Sequence, residues 1–357
     1  MRSSFLRGAV ATFALTAALS GAALAEDVFL MDGVTPSTTD TTVVPADTFK
    51  KEGPWVIGMS HFGVNANTWT VQVAHETEAA AAADPRIEKL IILDAAFDQE
   101  KQVADIEDLI AQGVDAIIVQ PVTSTSANAS IEKAVAAGIP VILHTGRIES
   151  SAFTVQIQGG AEHFGKVMGD FLVDQVGNDG KIWVLRGLAG HPEDINRYNG
   201  LMQALEGTNI EIIAEQPGSW QYDTAKKVCE TLYLSNPEVD GIWSSGADMT
   251  RACVDVFNQF GAPVPPITGE GNNGFFGQWI EQGYPSISAE YSPSQGAAGV
   301  RAAVALLEGK EMFKSYDYNP AGWDVDKAAE YYRADLSANV WWPSELPEEK
   351  LIELYGN

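Results

Sequence analysis

The chain has 357 residues with 48 acidic and 22 basic side chains, which gives a formal net charge of −26. A surface this acidic repels nucleic acid and anionic lipid, so we expect neither as a partner. Two cysteines are too few for a disulfide framework or a cysteine zinc site, and the sequence indicates no cofactor.

The first 25 residues have the pattern of a secretory signal peptide. Arg2 and Arg7 form a basic start, residues 9–19 are apolar or small, and Ala23-Leu24-Ala25 matches a signal peptidase site. We expect cleavage after Ala25, which removes two arginines and leaves a mature net charge of −28. Glu26 offers no cysteine for a lipid anchor, and no later apolar run approaches the roughly 18–20 residues needed to span a bilayer. The sequence therefore predicts a freely soluble periplasmic product.

Residues 26–52 precede the first regular pattern and are rich in Thr, Ser and Asp without a clear period, so we expect a loose extension. From Pro54 onward, short apolar strands alternate with amphipathic helices. The first series has predicted strands at 55–59, 90–93, 116–119 and 141–143, and predicted helices near 69–83, 103–112 and 127–137.

A second series begins near Gly159 with a helical stripe between Phe164 and Leu172. Its predicted strands are 182–185, 210–213, 241–243 and 266–268, and its further helices lie near 193–206, 221–235, 248–259 and 273–282. Strict alternation of strand and helix implies right-handed crossovers and a parallel sheet. The fold class is therefore α/β, with two doubly wound parallel-sheet lobes.

The end of the chain carries Trp341-Trp342-Pro343 and a last short helix near 347–355, which we expect to pack on one lobe without a chemical role. Cys229 and Cys253 lie on successive predicted helices that flank one strand. An oxidising compartment permits a disulfide between them, and two separately buried thiols are the alternative.

Motifs for catalysis are missing from the sequence. It contains no G-x-S-x-G, H-E-x-x-H or Walker lysine loop, and its five histidines show no ligand spacing on one helix. Glu193 and Asp194 begin a predicted helix, where acids favour the helix dipole. We therefore expect a binding protein without a metal site rather than an enzyme.

The loops after the predicted strands combine aromatic rings, amides, arginines and acids. Parallel sheets bind ligands beyond the carboxyl ends of their strands, so these loops define the expected site. Sugar rings stack on indoles, and sugar hydroxyls need multidentate polar partners. The candidate ligand-binding residues are Asn67, Trp69, Gln120, Arg147, Arg197, Trp220, Asp248, Glu270, Asn272 and Glu290.

Five segments, in order, carry a resemblance to a known family. They are residues 105–116 (DIEDLIAQGVDA), 137–141 (AGIPV), 164–170 (FGKVMGD), 187–190 (GLAG) and 236–242 (NPEVDGI). Over residues 54–310, the chain resembles the periplasmic sugar-binding proteins of ABC importers, of the ribose-binding type.

The resemblance implies two lobes joined by a hinge of three crossing strands that closes on a sugar. It places the N-terminal lobe at 53–158 and 291–322, and the C-terminal lobe with the tail at 159–290 and 323–357. It also implies ligand contacts at Asn67, Trp69, Gln120, Arg147, Arg197, Trp220 and Glu290, a membrane permease as partner, and a monomer.

Two departures from the ribose-binding pattern affect the expected ligand. Gly246-Ala247 stands where that type has Asn-Asp, and Glu270-Gly271 stands where it has Phe-Asp. A different pentose, a hexose or a linear polyol therefore fits as well as ribose. The alternatives in function are a receptor that presents its ligand to a membrane sensor or chemoreceptor, and a sugar-acting enzyme that uses Glu270 or Glu290.

Overall fold

The computed structural model describes residues 28–357, so the predicted signal peptide and its cleavage site lie outside the described residues. The strands are β1 Val34–Pro36, β2 Val43–Val44, β3 Trp55–His61, β4 Ile87–Asp94, β5 Ala116–Val119, β6 Val141–Thr145, β7 Val155–Gln158, β8 Lys181–Arg186, β9 Glu211–Pro217, β10 Gly241–Ser244, β11 Ile267–Glu270, β12 Ser286–Ala289, β13 Met312–Phe313, β14 Ser315–Tyr318 and β15 Gly322–Trp323. The helices are α1 Thr68–Ala83, α2 Gln99–Gln112, α3 Asn128–Ala136, α4 Ala161–Val176, α5 Pro192–Leu205, α6 Tyr222–Ser235, α7 Ala247–Gln259, α8 Asn273–Gln282, α9 Gln295–Glu308, α10 Val325–Tyr331 and α11 Glu348–Tyr355.

The N-terminal lobe is built on a seven-stranded sheet in the order β1-β14-β7-β6-β5-β3-β4. All neighbouring strands from β4 to β14 are parallel, and only β1 is antiparallel to its neighbour. Central strand β5 is fully buried, which explains its unbroken apolar sequence. The strand order reverses between β3 and β5, and the loops after these two strands therefore flank a crevice.

The C-terminal lobe repeats this arrangement in a six-stranded sheet with the order β15-β12-β11-β10-β8-β9. Its strands are parallel except for β15 at the edge. The strand order reverses between β8 and β10, which gives this lobe a crevice of its own. The predicted fold class of two parallel-sheet lobes is confirmed, with antiparallel strands added at two edges.

Three segments of the chain cross between the two sheets. Residues 158–161 lead from β7 to α4, residues 289–295 lead from β12 to α9, and residues 318–322 lead from β14 to β15.

In the C-terminal lobe, α4 and α5 pack so closely that a Cβ at Gly165 would lie 1.8 Å from the carbonyl oxygen of Arg197. Glycine at this position therefore allows α4 to pack directly against the backbone of Arg197.

The structure differs from the sequence expectation at both ends of the described chain. The extension is not loose, because β1 pairs with β14 and β2 pairs with β13. Strands of two or three residues have too few positions to show a period, which is why the sequence pattern missed them. The tail packs on both lobes instead of one, through Gln72 of α1 and through Gly271 after β11.

A disulfide joins Cys229 of α6 to Cys253 of α7, with their Cα atoms 5.4 Å apart. Both cysteines are fully buried in the C-terminal lobe. Within residues 28–357, no helix has the length and apolar character needed to cross a membrane.

Candidate functional site

A cavity lies between the lobes, where the two crevices face each other. The lining residues are Phe62, Asn67, Trp69, Thr70, Gln120, Thr145, His191, Glu193, Arg197, Trp220, Gly246, Ala247, Asp248, Glu270, Tyr291 and Trp341.

Three tryptophans line the cavity, and each donates its indole N–H to another protein group. The Trp69 indole donates to the carbonyl of Tyr291 at 2.9 Å, and the Trp220 indole donates to the carbonyl of Ser245 at 3.0 Å. The Trp341 indole donates to the hydroxyl of Thr68 at 2.8 Å. Since these N–H groups are already bonded, the indoles offer a ligand their rings, which suit the C–H face of a sugar.

The local backbone holds Trp220 in place. Ser219 and Trp220 both have positive φ angles, of 58° and 53°. This left-handed conformation has a higher energy for a residue other than glycine, so it persists only where the surrounding structure holds it. Gly187 after β8 makes room for the indole, because a Cβ there would lie 2.2 Å from the Trp220 ring. This close approach ties the position of the ring to the end of β8.

Arg197 is the central cation of the cavity. Its guanidinium lies 3.8 Å from the ring centre of Phe164 and 4.3 Å from that of Tyr291. It donates to Glu270 at 3.1 Å, and both side chains are buried. Burial raises the pKa of Glu270, and the nearby Arg197 opposes that rise. The Nε–H of Arg197 is buried and has no partner among the described residues.

Glu193 and His191 lie at the start of α5, next to Arg197. Burial raises the pKa of Glu193 to about 7, and Arg197 opposes the rise. The hydroxyl of Tyr291 donates to Glu193 across the lobes. His191 caps α5 by accepting from the backbone N–H of Glu193 at 3.2 Å, and burial lowers its pKa to about 3. His191 is therefore neutral at pH 7 and serves as a helix cap.

Asp248 and Gln120 complete the polar lining. Asp248 accepts from the hydroxyl of Thr68 at 3.0 Å, which links α7 of one lobe to α1 of the other. Gln120 follows β5 and is 1% exposed, yet neither its amide nitrogen nor its amide oxygen has a partner among the described residues. Buried polar atoms are paired in the great majority of cases. The amide N–H groups and the amide oxygen of Gln120 are therefore available for a ligand.

Seven of the ten predicted ligand-binding residues lie together in this cavity. They are Asn67, Trp69, Gln120, Arg197, Trp220, Asp248 and Glu270. Asn67 also caps α1, since its side chain accepts from the backbone N–H of Thr70 at 2.9 Å. Its place in the lining is thus fixed by the helix that it begins.

The other three predicted residues do not line the cavity. Arg147 is exposed and lies in an adjoining groove, which shares Thr145 and Glu193 with the cavity. Asn272 is buried, and it caps α8 by accepting from the backbone N–H of Phe275 at 3.0 Å. Glu290 accepts from the hydroxyl of Tyr318 at 3.0 Å, beside a crossing segment. A residue that follows a strand can cap the next helix or face the hinge, and the sequence pattern does not separate these roles from ligand contact.

Several lining residues were missed by the sequence pattern. Phe62 directly follows β3, and Tyr291 adjoins the predicted residue Glu290. Thr145 ends β6 and donates to Gln295 at 3.1 Å. Trp341 was expected to have no chemical role, yet the tail brings its side chain into the lining. No local period marks such a contact.

Residues 61–311 match a family model described as a periplasmic binding protein domain. The chain belongs to the periplasmic binding protein family. The match, together with relatives named ribose import binding proteins, confirms the sequence-based resemblance to the ribose-binding type. Within residues 28–357, no group of three or more His, Cys, Asp or Glu side chains is arranged to hold a metal ion.

Similar proteins with known names are binding proteins rather than enzymes. The chain is 26% identical over 271 residues to the ribose import binding protein of Bacillus subtilis, covering 74% of this chain and 85% of that protein. It is 31% identical over 216 residues to the galactofuranose-binding protein of Escherichia coli K12, covering 58% and 67%.

The fold also matches a solved structure of the same kind. This is the periplasmic binding component of the arabinose ABC transporter from Shewanella sp. ANA-3, bound to L-arabinofuranose. The TM-score is 0.72 at 26% identity, and the match covers 78% of this chain and 94% of the other. The tail that carries Trp341 lies beyond the family match at residues 61–311.

Proposed function

We propose that the protein captures a small neutral sugar or polyol between its lobes in the periplasm and delivers it, as a monomer, to an ABC-type importer. The observation that carries this proposal is the composition of the cavity. Indole rings stand beside a buried arginine, carboxylates and the unpaired amide of Gln120. Stacking on rings and multidentate hydrogen bonding are the two interactions that recognise a sugar.

The charges in the cavity support a neutral ligand over an anionic one. Arg197 is the cation of the lining, and it is already paired with Glu270. Asp248 and Glu193 add further acid to the same space. A sugar phosphate or sugar acid would therefore bring further negative charge into a buried site whose arginine is already paired, which is costly.

The relatives support the sugar class through what they bind, namely ribose, galactofuranose and arabinofuranose. Gly246 and Ala247 offer no side-chain hydrogen bonds at their end of the cavity, which supports a ligand other than ribose.

The test is a thermal-shift screen of the mature chain with D-ribose, L-arabinose, D-galactose, xylitol, myo-inositol and ribose 5-phosphate. A ligand at 100 times its Kd adds about 2.7 kcal/mol to the free energy of unfolding, so a binder raises Tm by several degrees. We expect at least one neutral compound to do so and the phosphate to have no effect. A screen without any shift contradicts the proposal. Trp220→Ala should abolish the shift while leaving the ligand-free Tm in place.

Delivery to an importer is tested by uptake of the radiolabelled ligand in cells that lack this protein. Loss of high-affinity uptake supports delivery. Unchanged uptake, with loss of the ligand-induced transcriptional or chemotactic response, would instead support the sensor-receptor alternative.

A further inference from the structure

The tail is anchored to the C-terminal lobe at the turn between β11 and α8. The backbone N–H of Trp342 donates to Gly271 at 2.7 Å, and that of Asn273 donates to Val340 at 2.8 Å. A Cβ at Gly271 would lie 2.2 Å from the carbonyl oxygen of Trp342, so glycine allows this approach. The Asn273 side-chain amide donates to the carbonyl of Arg333 at 2.8 Å. This part of the tail therefore belongs to the C-terminal lobe.

The same part of the tail is held by α1 of the N-terminal lobe. The buried amide of Gln72 pairs with both backbone groups of Trp341, accepting from its N–H at 2.8 Å and donating to its carbonyl at 3.0 Å. One helical turn later, the buried carboxyl of Glu76 accepts from the hydroxyl of Ser344 at 2.6 Å and from the backbone N–H of Glu345 at 3.2 Å.

Through these contacts the tail joins the two lobes. If the tail moved away with the C-terminal lobe, Gln72 and Glu76 would lose hydrogen-bond partners that satisfy their buried polar atoms. Leaving such atoms unpaired costs more than an ordinary hydrogen bond is worth, unless water replaces the partner. The contacts of α1 with the tail therefore favour the closed arrangement.

Trp341 connects this tail to the ligand cavity. Its indole lines the cavity and donates to Thr68 of α1, whose hydroxyl donates to Asp248 of α7. These two hydrogen bonds, from Trp341 to Thr68 and from Thr68 to Asp248, thus join the tail to both lobes at the edge of the cavity.

We propose that residues 336–346 form a latch that docks on Gln72 and Glu76 when the lobes close, and that Trp341 on this latch contacts the ligand and limits its size. The latch lies outside the residues matched by the family model and contributes to closure in addition to the crossing segments. This inference rests on the proposed function, because it needs a ligand in the inter-lobe cavity.

The test compares Trp341→Ala with Trp342→Phe in the full mature chain, by isothermal titration with L-arabinose, D-galactose, xylitol and myo-inositol. Trp342 is the neighbouring buried residue of the latch and is not part of the cavity lining. We expect Trp341→Ala to lower the affinity of the tightest of these ligands at least tenfold and Trp342→Phe to change it less than twofold. We also expect Trp341→Ala to weaken larger ligands less than smaller ones, which a purely structural role would not produce.

A second variant tests docking apart from ligand contact. Gln72→Leu keeps an apolar side chain under the tail but cannot pair with the backbone of Trp341, and Gln72 does not line the cavity. We expect it to lower affinity several-fold and to reduce the decrease in radius of gyration that ligand binding produces in X-ray scattering. If the wild type binds neither these four compounds nor D-ribose, the proposed function fails. If the wild type binds but Trp341→Ala and Gln72→Leu bind equally well, the latch is refuted and the proposed function stands.

Discussion

The ion pair between Arg197 and Glu270 gives a sharp prediction, because both residues are only 4% exposed. We consider Arg197→Met, which removes the cation and keeps an apolar chain between the rings of Phe164 and Tyr291. Removing one partner of a buried pair typically costs about 3–5 kcal/mol, because the other charge is left without compensation.

Protonation of Glu270 limits this cost. Its ordinary pKa is 4.5, and binding a proton at pH 7 costs about 1.4 kcal/mol per pH unit above that value, or about 3 kcal/mol in all. We therefore expect Arg197→Met to lower the free energy of unfolding by about 3 kcal/mol at pH 7. At pH 5 the carboxyl takes up its proton more easily, and the loss should shrink to about 1 kcal/mol.

The assay is urea unfolding of the ligand-free protein at pH 7 and pH 5, followed by circular dichroism. Glu270→Gln combined with Arg197→Met removes both charges, and we expect the double variant to be more stable at pH 7 than Arg197→Met alone. Equal losses for Arg197→Met at both pH values, together with additive effects in the double variant, would refute the reasoning.

Three further predictions concern stability and the site. Burial lowers the pKa of His144 to about 3, so below the ordinary value of 6.5 only the unfolded chain takes up this proton, and the free energy of unfolding decreases as the pH falls. In urea unfolding, the free energy of unfolding of His144→Gln should therefore rise by about 2 kcal/mol relative to that of the wild type when the pH is lowered from 7 to 5. A difference that stays constant between the two pH values would count against this. Replacing Cys229 and Cys253 by alanine should lower the free energy of unfolding by about 3 kcal/mol, and added reductant should have no effect on this variant. A midpoint of urea unfolding equal to that of the wild type would show that the bond does not stabilise the fold. Gly187→Ala should displace the indole of Trp220 and lower ligand affinity at least tenfold in titration calorimetry, and wild-type affinity would show that the ring position does not matter.

Much of the fold could be predicted from the sequence because the local signals agree with one another. Continuous apolar runs mark buried parallel strands such as β5, and helical stripes mark the elements between them. Helix ends coincide with residues such as Asn67 and Gly113, which cap α1 and α2. The position of the site follows from topology, since the carboxyl ends of parallel strands gather the loops that carry Gln120 and Asp248.

The rest depends on contacts that no local pattern encodes. Trp341 reaches the cavity through hydrogen bonds to Gln72, 269 residues earlier in the chain. Asn272 and Arg147 follow strands as the true lining residues do, yet one caps a helix and the other faces an adjoining groove. The short strand β1 is defined by its partner rather than by its own sequence.

The most direct measurement of the central claim is a crystal structure of the mature protein with the neutral sugar or polyol that raises its Tm most. We predict a single ligand between the lobes, with its hydroxyls bonded to the amide of Gln120 and to Arg197 and Glu270, and with its ring against Trp220. A ligand bound elsewhere, or the same cavity without a ligand at saturating concentration, would contradict the account.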